Sequence, residues 1–148
     1  MFRGSSTHTI DSKGRIIIPA RFRDVIKVGN SNSLMVSKLD KCLVAYPLEE
    51  WHKIESKILS LAEKSGTLRR FRRVFVGGAS ECSYDKQERI LIPPLLRQYA
   101  GLEKDIALVG VLTHFEIWCR EQWEKENMAM EKDMKNEEVR KQIAGLGL

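Results

Sequence analysis

The stretch Asp11-Ser-Lys-Gly-Arg15-Ile-Ile-Ile-Pro19-Ala-Arg-Phe-Arg23 decides the fold, because the chain contains it twice. The second copy is Asp85-Lys-Gln-Glu-Arg89-Ile-Leu-Ile-Pro93-Pro-Leu-Leu-Arg97, which lies 74 positions further along. The Asp, the Arg, two Ile, the Pro and the final Arg keep their places in both copies. Self-similarity at a fixed spacing indicates a duplicated structural unit.

The match continues outward from these two stretches. Gly4 corresponds to Gly78 at the same spacing, and three further pairs match at a spacing of 72: Leu34 with Ile106, Tyr46 with Trp118, and Trp51 with Trp123. The two-residue difference falls within residues 27–33, where a loop containing Gly and Ser tolerates it. We therefore predict four segments: a first unit over 5–52, a connecting helix and linker over 53–80, a second unit over 81–125, and a helical tail over 126–148.

Each unit shows the same predicted elements. Asp11 and Gly14, at the first and fourth positions of a four-residue segment, indicate a type I turn that leads into a strand over 15–18. Pro19 and Pro93 end the strands and suit the first residue of a short helix. Two more strands follow in each unit, at 34–37 and 42–46 and again at 106–111 and 115–118. Short strands with interleaved short helices predict an α+β chain dominated by a small β-barrel.

Two longer helices flank the repeated elements. An apolar stripe at helical spacing predicts the connecting helix, and its members are Leu48, Trp51, Ile54, Ile58, Leu61 and Ala62. We interpret the basic cluster Arg69–Arg73 as the exposed end of this helix, with a phosphate clamp as the alternative. Residues 120–143 are predicted to be helical and mostly charged, forming a solvated tail or a packing arm between subunits.

The repeated Asp and Arg residues are the candidate functional residues. We interpret Asp11 and Asp85 as structural, since an Asp that opens a turn accepts backbone N–H bonds or pairs with a nearby Arg. The pattern leaves two roles open for Arg15 and Arg89: a brace to the preceding Asp, or a bidentate donor to phosphate or guanine. The surrounding charge favours the donor, because residues 11–23 contain four cationic side chains and one acid.

Composition and charge exclude several classes of protein. The 148 residues have a formal charge of +5, divided into +8 over residues 1–80 and −3 over residues 81–148, and a basic part indicates a polyanionic partner. We expect no membrane segment and no signal peptide, since no apolar run approaches about 18 residues and the first residues lack an apolar core. The three separated cysteines predict reduced thiols. Without metal-ligand spacing or catalytic motifs, we expect no enzyme activity, cofactor, metal or small-molecule substrate.

Several stretches resemble the MraZ family in order and spacing from residue 1 to about 125. Besides the two Asp-x-x-x-Arg repeats they are Met1-Phe2-Arg3-Gly4, Gly78-Ala-Ser-Glu-Cys82, Leu96-Arg-Gln-Tyr-Ala-Gly-Leu102 and Phe115-Glu-Ile-Trp118. The resemblance implies two SpoVT-AbrB-like swapped-hairpin units, a ring-shaped homo-oligomer, and a cytoplasmic, nucleoid-associated transcriptional regulator. It also implies binding to double-stranded DNA at direct repeats upstream of the cell-division and cell-wall gene cluster.

The family's DNA-contacting residues correspond to Arg15 and Arg89, with Lys13 and Arg3 as basic helpers. We expect the two units to pair about a pseudo-two-fold axis, with both arginines on one face. Glu88 departs from the pattern, because it replaces the turn glycine and adds a negative charge beside Arg89, so we expect the first unit to make most of the DNA contact. The alternative function is an antitoxin-like or structural AbrB-fold partner-binding module, whose partner would bind the C-terminal tail.

Overall fold

The computed structural model describes residues 1–29, 31–60 and 65–148, which form eight strands and six helices. The strands are β1 Ser5–Thr9, β2 Arg15–Ile17, β3 Ser33–Leu39, β4 Cys42–Pro47, β5 Ser80–Ser83, β6 Arg89–Leu91, β7 Asp105–Gly110 and β8 Phe115–Cys119. The helices are α1 Ala20–Lys27, α2 Leu48–Ser60, α3 Gly66–Gly77, α4 Pro94–Ala100, α5 Arg120–Asp133 and α6 Glu137–Ala144. Asn30 of the predicted loop and Leu61 and Ala62 of the predicted stripe lie outside the described residues.

The strands form one six-stranded antiparallel sheet and one separate two-stranded ribbon. The sheet has the order β1-β7-β8-β4-β3-β5, and β2 pairs with β6 in the ribbon. The two repeats exchange strands, since β1 of the first pairs with β7 of the second and β5 of the second pairs with β3 of the first.

The sheet stays open, which corrects the expectation of a closed small barrel. Closure would require β1 to pair with β5, and no such pairing is present among the described residues. Each of these two strands instead leads into one of the Asp turns, after which β2 and β6 pair with each other. The mixed α+β class is confirmed.

The ribbon covers the main hydrophobic core. The side chains of Ile16, Ile18, Ile90 and Ile92, which are equivalent positions in the two repeats, are completely buried. Beside them the ring of Phe22 on α1 stacks on Phe115 of β8, with ring centroids 4.8 Å apart. Because Ile16 and Ile90 face each other across the ribbon, one buried core anchors both repeats.

The opposite face of the sheet is covered by α2 and α3. Along β4, Leu43 packs into the main core whereas the next residue, Val44, packs with Trp51 of α2 and Phe75 of α3. This alternation follows from the two-residue period of a strand. The buried Ser37 hydroxyl donates a hydrogen bond of 2.6 Å to the carbonyl of Phe75, which fixes α3 against β3.

Two helical predictions require correction. The side chain of Ser65 accepts a bond from the N–H of Leu68 and caps a new helix, so the cluster Arg69–Arg73 lies inside α3 and not at the end of α2. The predicted single helix over 120–143 is two helices, because Asn136 caps α6 by accepting bonds from the backbone N–H groups of Glu138 and Val139, the second and third residues of that helix. Among the described helices, none is both long and apolar enough to cross a membrane.

Candidate nucleic-acid interface

The two Asp turns have nearly the same geometry. Oδ1 of Asp11 accepts the backbone N–H groups of Lys13 (3.0 Å) and Arg15 (2.9 Å), and its Oδ2 accepts the side-chain Nε–H of Arg15 at 2.6 Å. Asp85 repeats this arrangement, with Nε of Arg89 at 2.8 Å from its Oδ2. A short polar side chain that bonds the backbone two residues ahead stabilises a turn, which accounts for the Asp in both copies.

The same contacts lower the pKa of both carboxyl groups. For each Asp the main cause is the backbone N–H of the Arg four residues ahead, and the guanidinium adds to the effect. Hydrogen bonds to the charged form favour that form. Asp11 and Asp85 therefore remain carboxylates near neutral pH and are unsuited to act as a general acid.

Each carboxylate holds its arginine in place while leaving some of the guanidinium N–H groups free of the Asp. A guanidinium carries five N–H groups in a planar fork, and the bond to Asp Oδ2 uses the one on Nε. The two roles left open by the sequence are therefore compatible, since the brace holds the guanidinium while its Nη groups can bind a second acceptor. Fixing a long side chain in advance reduces the entropy lost when it binds.

The ribbon places both arginines on one outward face. Arg15 lies opposite Leu91, and Ile17 lies opposite Arg89, with the buried pair Ile16 and Ile90 between them. Because side chains alternate along a strand, Arg15, Ile17, Arg89 and Leu91 share the solvent side, and we call these four residues the ribbon face. The two arginines are diagonal neighbours across the strands, a relation that places side chains about 7–8 Å apart.

The two basic helpers lie in different places. Lys13 is exposed within the Asp11 turn, two residues from Arg15, and so borders the ribbon face. Arg3 lies at the other end of β1, because Phe2 pairs with Leu112 whereas Ile10 bonds to Lys104 at the far end of β7. The five residues of β1 span about 17 Å, so the structure does not bring Arg3 to the ribbon face.

Glu88 occupies the position of Gly14 without disrupting the turn. Its backbone adopts φ 63°, the left-handed conformation that Gly14 also adopts at φ 88°. Its carboxylate forms an ion pair of 2.9 Å with Nη1 of Arg23. Replacement of the turn glycine therefore leaves the turn intact, and the carboxylate that we expected beside Arg89 is paired with Arg23 of the other repeat.

In the first repeat, the position equivalent to Glu88 is Gly14, and an arginine side chain packs against it. Arg97, which corresponds to Arg23 in the repeat, packs across this glycine so closely that a Cβ on Gly14 would lie 2.6 Å from its Nε. The Nε of Arg97 is buried and has no hydrogen-bond partner within the described part of the chain. One end of the ribbon thus has an arginine paired with Glu88, and the other has a half-buried arginine whose Nε lacks a hydrogen-bond partner among the described residues, so the pseudo-two-fold symmetry is broken.

Burial shifts the pKa values of several side chains outside the ribbon face. Burial raises the pKa of Cys42, and it raises the pKa of Cys82 to about 11, so both remain protonated thiols of low reactivity. Burial lowers the pKa of His114, whose ring stacks on Tyr46. Over residues 1–29, 31–60 and 65–148 no group of three His, Cys, Asp or Glu side chains could hold a metal ion.

Sequence reasoning missed the two aliphatic members of the ribbon face. Ile17 and Leu91 are 58% and 55% exposed, although the residues on either side of them are buried. The run Ile16-Ile17-Ile18 reads as uniformly apolar, which hides the fact that its middle residue must face away from the core. Strict two-residue alternation with Ile16 and Ile18 inside would have identified Ile17 as exposed.

The fold is a duplicated α+β unit in which each copy carries an arginine held by its own Asp. Comparison with known sequences gives the family to which such a chain belongs. The profile described as "MraZ protein, putative antitoxin-like" matches residues 1–74 and again residues 75–143. The chain belongs to the MraZ family. Proteins named transcriptional regulator MraZ from Desulforapulum autotrophicum, Desulfosudis oleivorans and Acetivibrio thermocellus are 62%, 53% and 43% identical to it, each over all 148 residues and the full length of both chains.

Proposed function

We propose that this chain is a sequence-specific DNA-binding transcriptional regulator; its relatives are named transcriptional regulators, and the DNA binding is our own assignment. The observation that supports this most is the ribbon face, where Arg15 and Arg89 are diagonal neighbours and each is braced by its own Asp. Two braced guanidinium groups in fixed positions suit recognition of base edges better than general attraction to phosphate.

The ribbon suits the major groove of DNA, which is wide enough to admit a two-stranded β-ribbon. Arg15 and Arg89 then donate from their Nη groups to O6 and N7 of guanines. Lys13, exposed in the adjoining turn, contacts phosphate and contributes affinity through release of counterions. Since Glu88 pairs with Arg23 and not with Arg89, both arginines make base contacts, and the contact is shared between the repeats.

The finer assignment concerns the DNA sites and the assembly. We propose direct repeats upstream of the division and cell-wall gene cluster as the target and a ring-shaped homo-oligomer, associated with the nucleoid, as the binding form. The broken symmetry of the ribbon supports a target with a direction, because Gly14 and Glu88 make its two ends different. Several weak contacts in one ring gain affinity from effective concentration, which explains why sites would be repeated.

Selection of bound fragments from a random pool of DNA duplexes, at a low and a high salt concentration, tests this function. The purified wild-type chain is expected to recover a short, guanine-containing motif at both salt concentrations. A variant with both Arg15→Ala and Arg89→Ala is expected to recover no motif while keeping its fold. Uniform recovery by the wild type would contradict the proposal, and selective binding only after a partner protein is added would favour the antitoxin-like alternative.

A further inference from the structure

The ribbon face contains two exposed aliphatic side chains that the proposed arginine contacts do not use. Ile17 and Leu91 are 58% and 55% exposed, and they sit on the diagonal that the two arginines leave open. The bonds from Ile18 N to Glu88 O and from Ile92 N to Gly14 O make the even-numbered residues the hydrogen-bonded pairs. Arg15 with Leu91 and Ile17 with Arg89 are thus non-hydrogen-bonded pairs, whose side chains lie closest together.

From this arrangement we infer that Ile17 and Leu91 recognise thymine, by packing against its C5-methyl group in the major groove. The inference rests on the proposed function. Apolar contact with this methyl group is how an aliphatic side chain distinguishes thymine from the other bases, just as arginine distinguishes guanine. On each strand of the ribbon face, one side chain thus contacts guanine and the other contacts thymine, and the order is reversed on the paired strand.

The dimensions of the ribbon face match a few base pairs. Arg15 and Ile17 are two residues apart on one strand, a separation of about 6.8 Å, which equals two base-pair steps of about 3.4 Å. Across the strands the paired side chains are about 4.5–5.5 Å apart. Guanine and thymine contacts therefore fall within about two steps of each other.

Charge makes DNA a better occupant of this face than another protein. Each aliphatic side chain has a guanidinium as its cross-strand neighbour. Asp11 and Asp85 balance the two guanidinium charges, and the exposed Lys13 leaves a net positive charge beside the apolar pair. A partner protein would have to supply apolar side chains and paired acids at this spacing. The groove of DNA supplies methyl groups and guanine acceptors on one surface with phosphates along its rim.

Replacing thymine by deoxyuridine in the selected duplex tests the inference, because the two bases differ only by the methyl group. Each thymine of the motif is replaced in turn, and dissociation constants are measured by fluorescence anisotropy. For the wild type, at least one replacement is expected to weaken binding about fourfold, the factor that corresponds to burying one methyl group. In the double variant Ile17→Ala and Leu91→Ala, the same replacement is expected to have no effect.

Leu59→Ala provides the matched control, since Leu59 is an exposed leucine on α2, which packs on the opposite face of the sheet. This variant is expected to keep the full loss on replacement of thymine. Tolerance of every replacement by the wild type, a motif without thymine, or an equal loss in the double variant would overturn the inference. So would a change in molecular mass of the double variant in light scattering, which would make the apolar pair a subunit contact.

The same experiment separates this inference from the function on which it rests. If the wild type selects a motif but tolerates deoxyuridine everywhere, only the thymine assignment fails. If the wild type selects no motif, the proposed function and the thymine assignment fail together. Circular dichroism of each variant establishes that the fold is kept, and none of the substituted side chains belongs to the buried core.

Discussion

Arg15→Ala should separate base recognition from general attraction to DNA. The guanidinium of Arg15 is held by Asp11 at 2.6 Å and faces solvent from a strand whose next residue, Ile16, is completely buried. Truncation therefore removes the group proposed to contact guanine while leaving the core beneath the ribbon in place. Lys13→Ala removes a neighbouring cation that we assign to phosphate. Arg140→Ala is the control, because it removes a cation from α6, which is far from the ribbon in sequence.

The expected magnitudes differ between these variants. A bidentate contact between arginine and guanine is worth about 1–3 kcal/mol of discrimination, so Arg15→Ala should weaken binding to the selected motif about 5–150-fold. The loss should be much smaller on DNA without the motif. Lys13→Ala should weaken binding to both DNAs equally and reduce the slope of log K against log salt by about 1. Arg140→Ala should change neither.

Fluorescence anisotropy with a short duplex containing one motif provides the measurement, repeated with a scrambled duplex over a range of salt concentrations. One motif is used so that contacts by several subunits do not multiply the effect. Arg15→Lys serves as a second variant, because it keeps the charge but has no planar fork, and it should lose discrimination as the alanine variant does. Equal weakening of Arg15→Ala on both duplexes would refute the assignment of Arg15 to a base. Full discrimination by Arg15→Lys would refute the requirement for a planar fork.

Three further predictions concern the fold. Phe22→Ala should lower the free energy of unfolding by about 3–5 kcal/mol in a urea titration, because its ring is completely buried, and a loss below about 1 kcal/mol would contradict this packing. Gly14→Ala should cost about 1–3 kcal/mol in the same assay, since φ is 88° and the new Cβ would meet Arg97, and an unchanged midpoint would contradict that contact. Burial lowers the pKa of both His8 and His114 below the ordinary value of 6.5. As the pH decreases below this value, the unfolded chain therefore binds more protons than the folded chain, and the free energy of unfolding should fall. The urea midpoint should be lower at about pH 5.5 than at about pH 7.5, less so in a variant with both histidines changed to glutamine, and an equal or higher midpoint at the lower pH would contradict the sign.

The local elements were predictable because their causes are local. Asp11 and Gly14 define a turn through their own backbone bonds, and the Pro at the end of each repeated strand precedes a short helix. The repeat then predicted the same elements twice. Even the orientation of Arg15 follows from its distance to Asp11, since an Asp four residues earlier, across a tight turn, is within reach of Nε.

The arrangement of the two repeats depends on distant contacts that local patterns do not encode. The pairing of β1 with β7 and of β5 with β3 joins residues far apart in sequence, and it leaves the sheet open where a barrel was expected. The role of Glu88 depends on Arg23 in the other repeat, a contact that the repeat alone does not reveal. The carboxylate of Glu88, which we expected to weaken DNA contact by Arg89, is therefore paired with Arg23.

The break between α5 and α6 had a local signal that the charge pattern concealed. Asn136 followed by Glu137 and Glu138 is a helix start, with a capping side chain and acids in the first turn. In a segment where about half of the residues are charged, this start resembled the interior of a longer helix. Capping residues inside a continuous helical pattern should be tested as boundaries before the pattern is assigned to one helix.

Protection of guanine N7 from dimethyl sulfate tests the central claim most directly, because this atom lies in the major groove and is an acceptor for arginine. With the duplex saturated by wild-type protein, we predict protection of at least two guanines in the motif. Arg15→Ala should restore the reactivity of one guanine and Arg89→Ala that of a different one, each measured at saturation. Full reactivity of every guanine in the saturated wild-type complex, or unchanged protection in both variants, would contradict the claim that the ribbon face reads the bases.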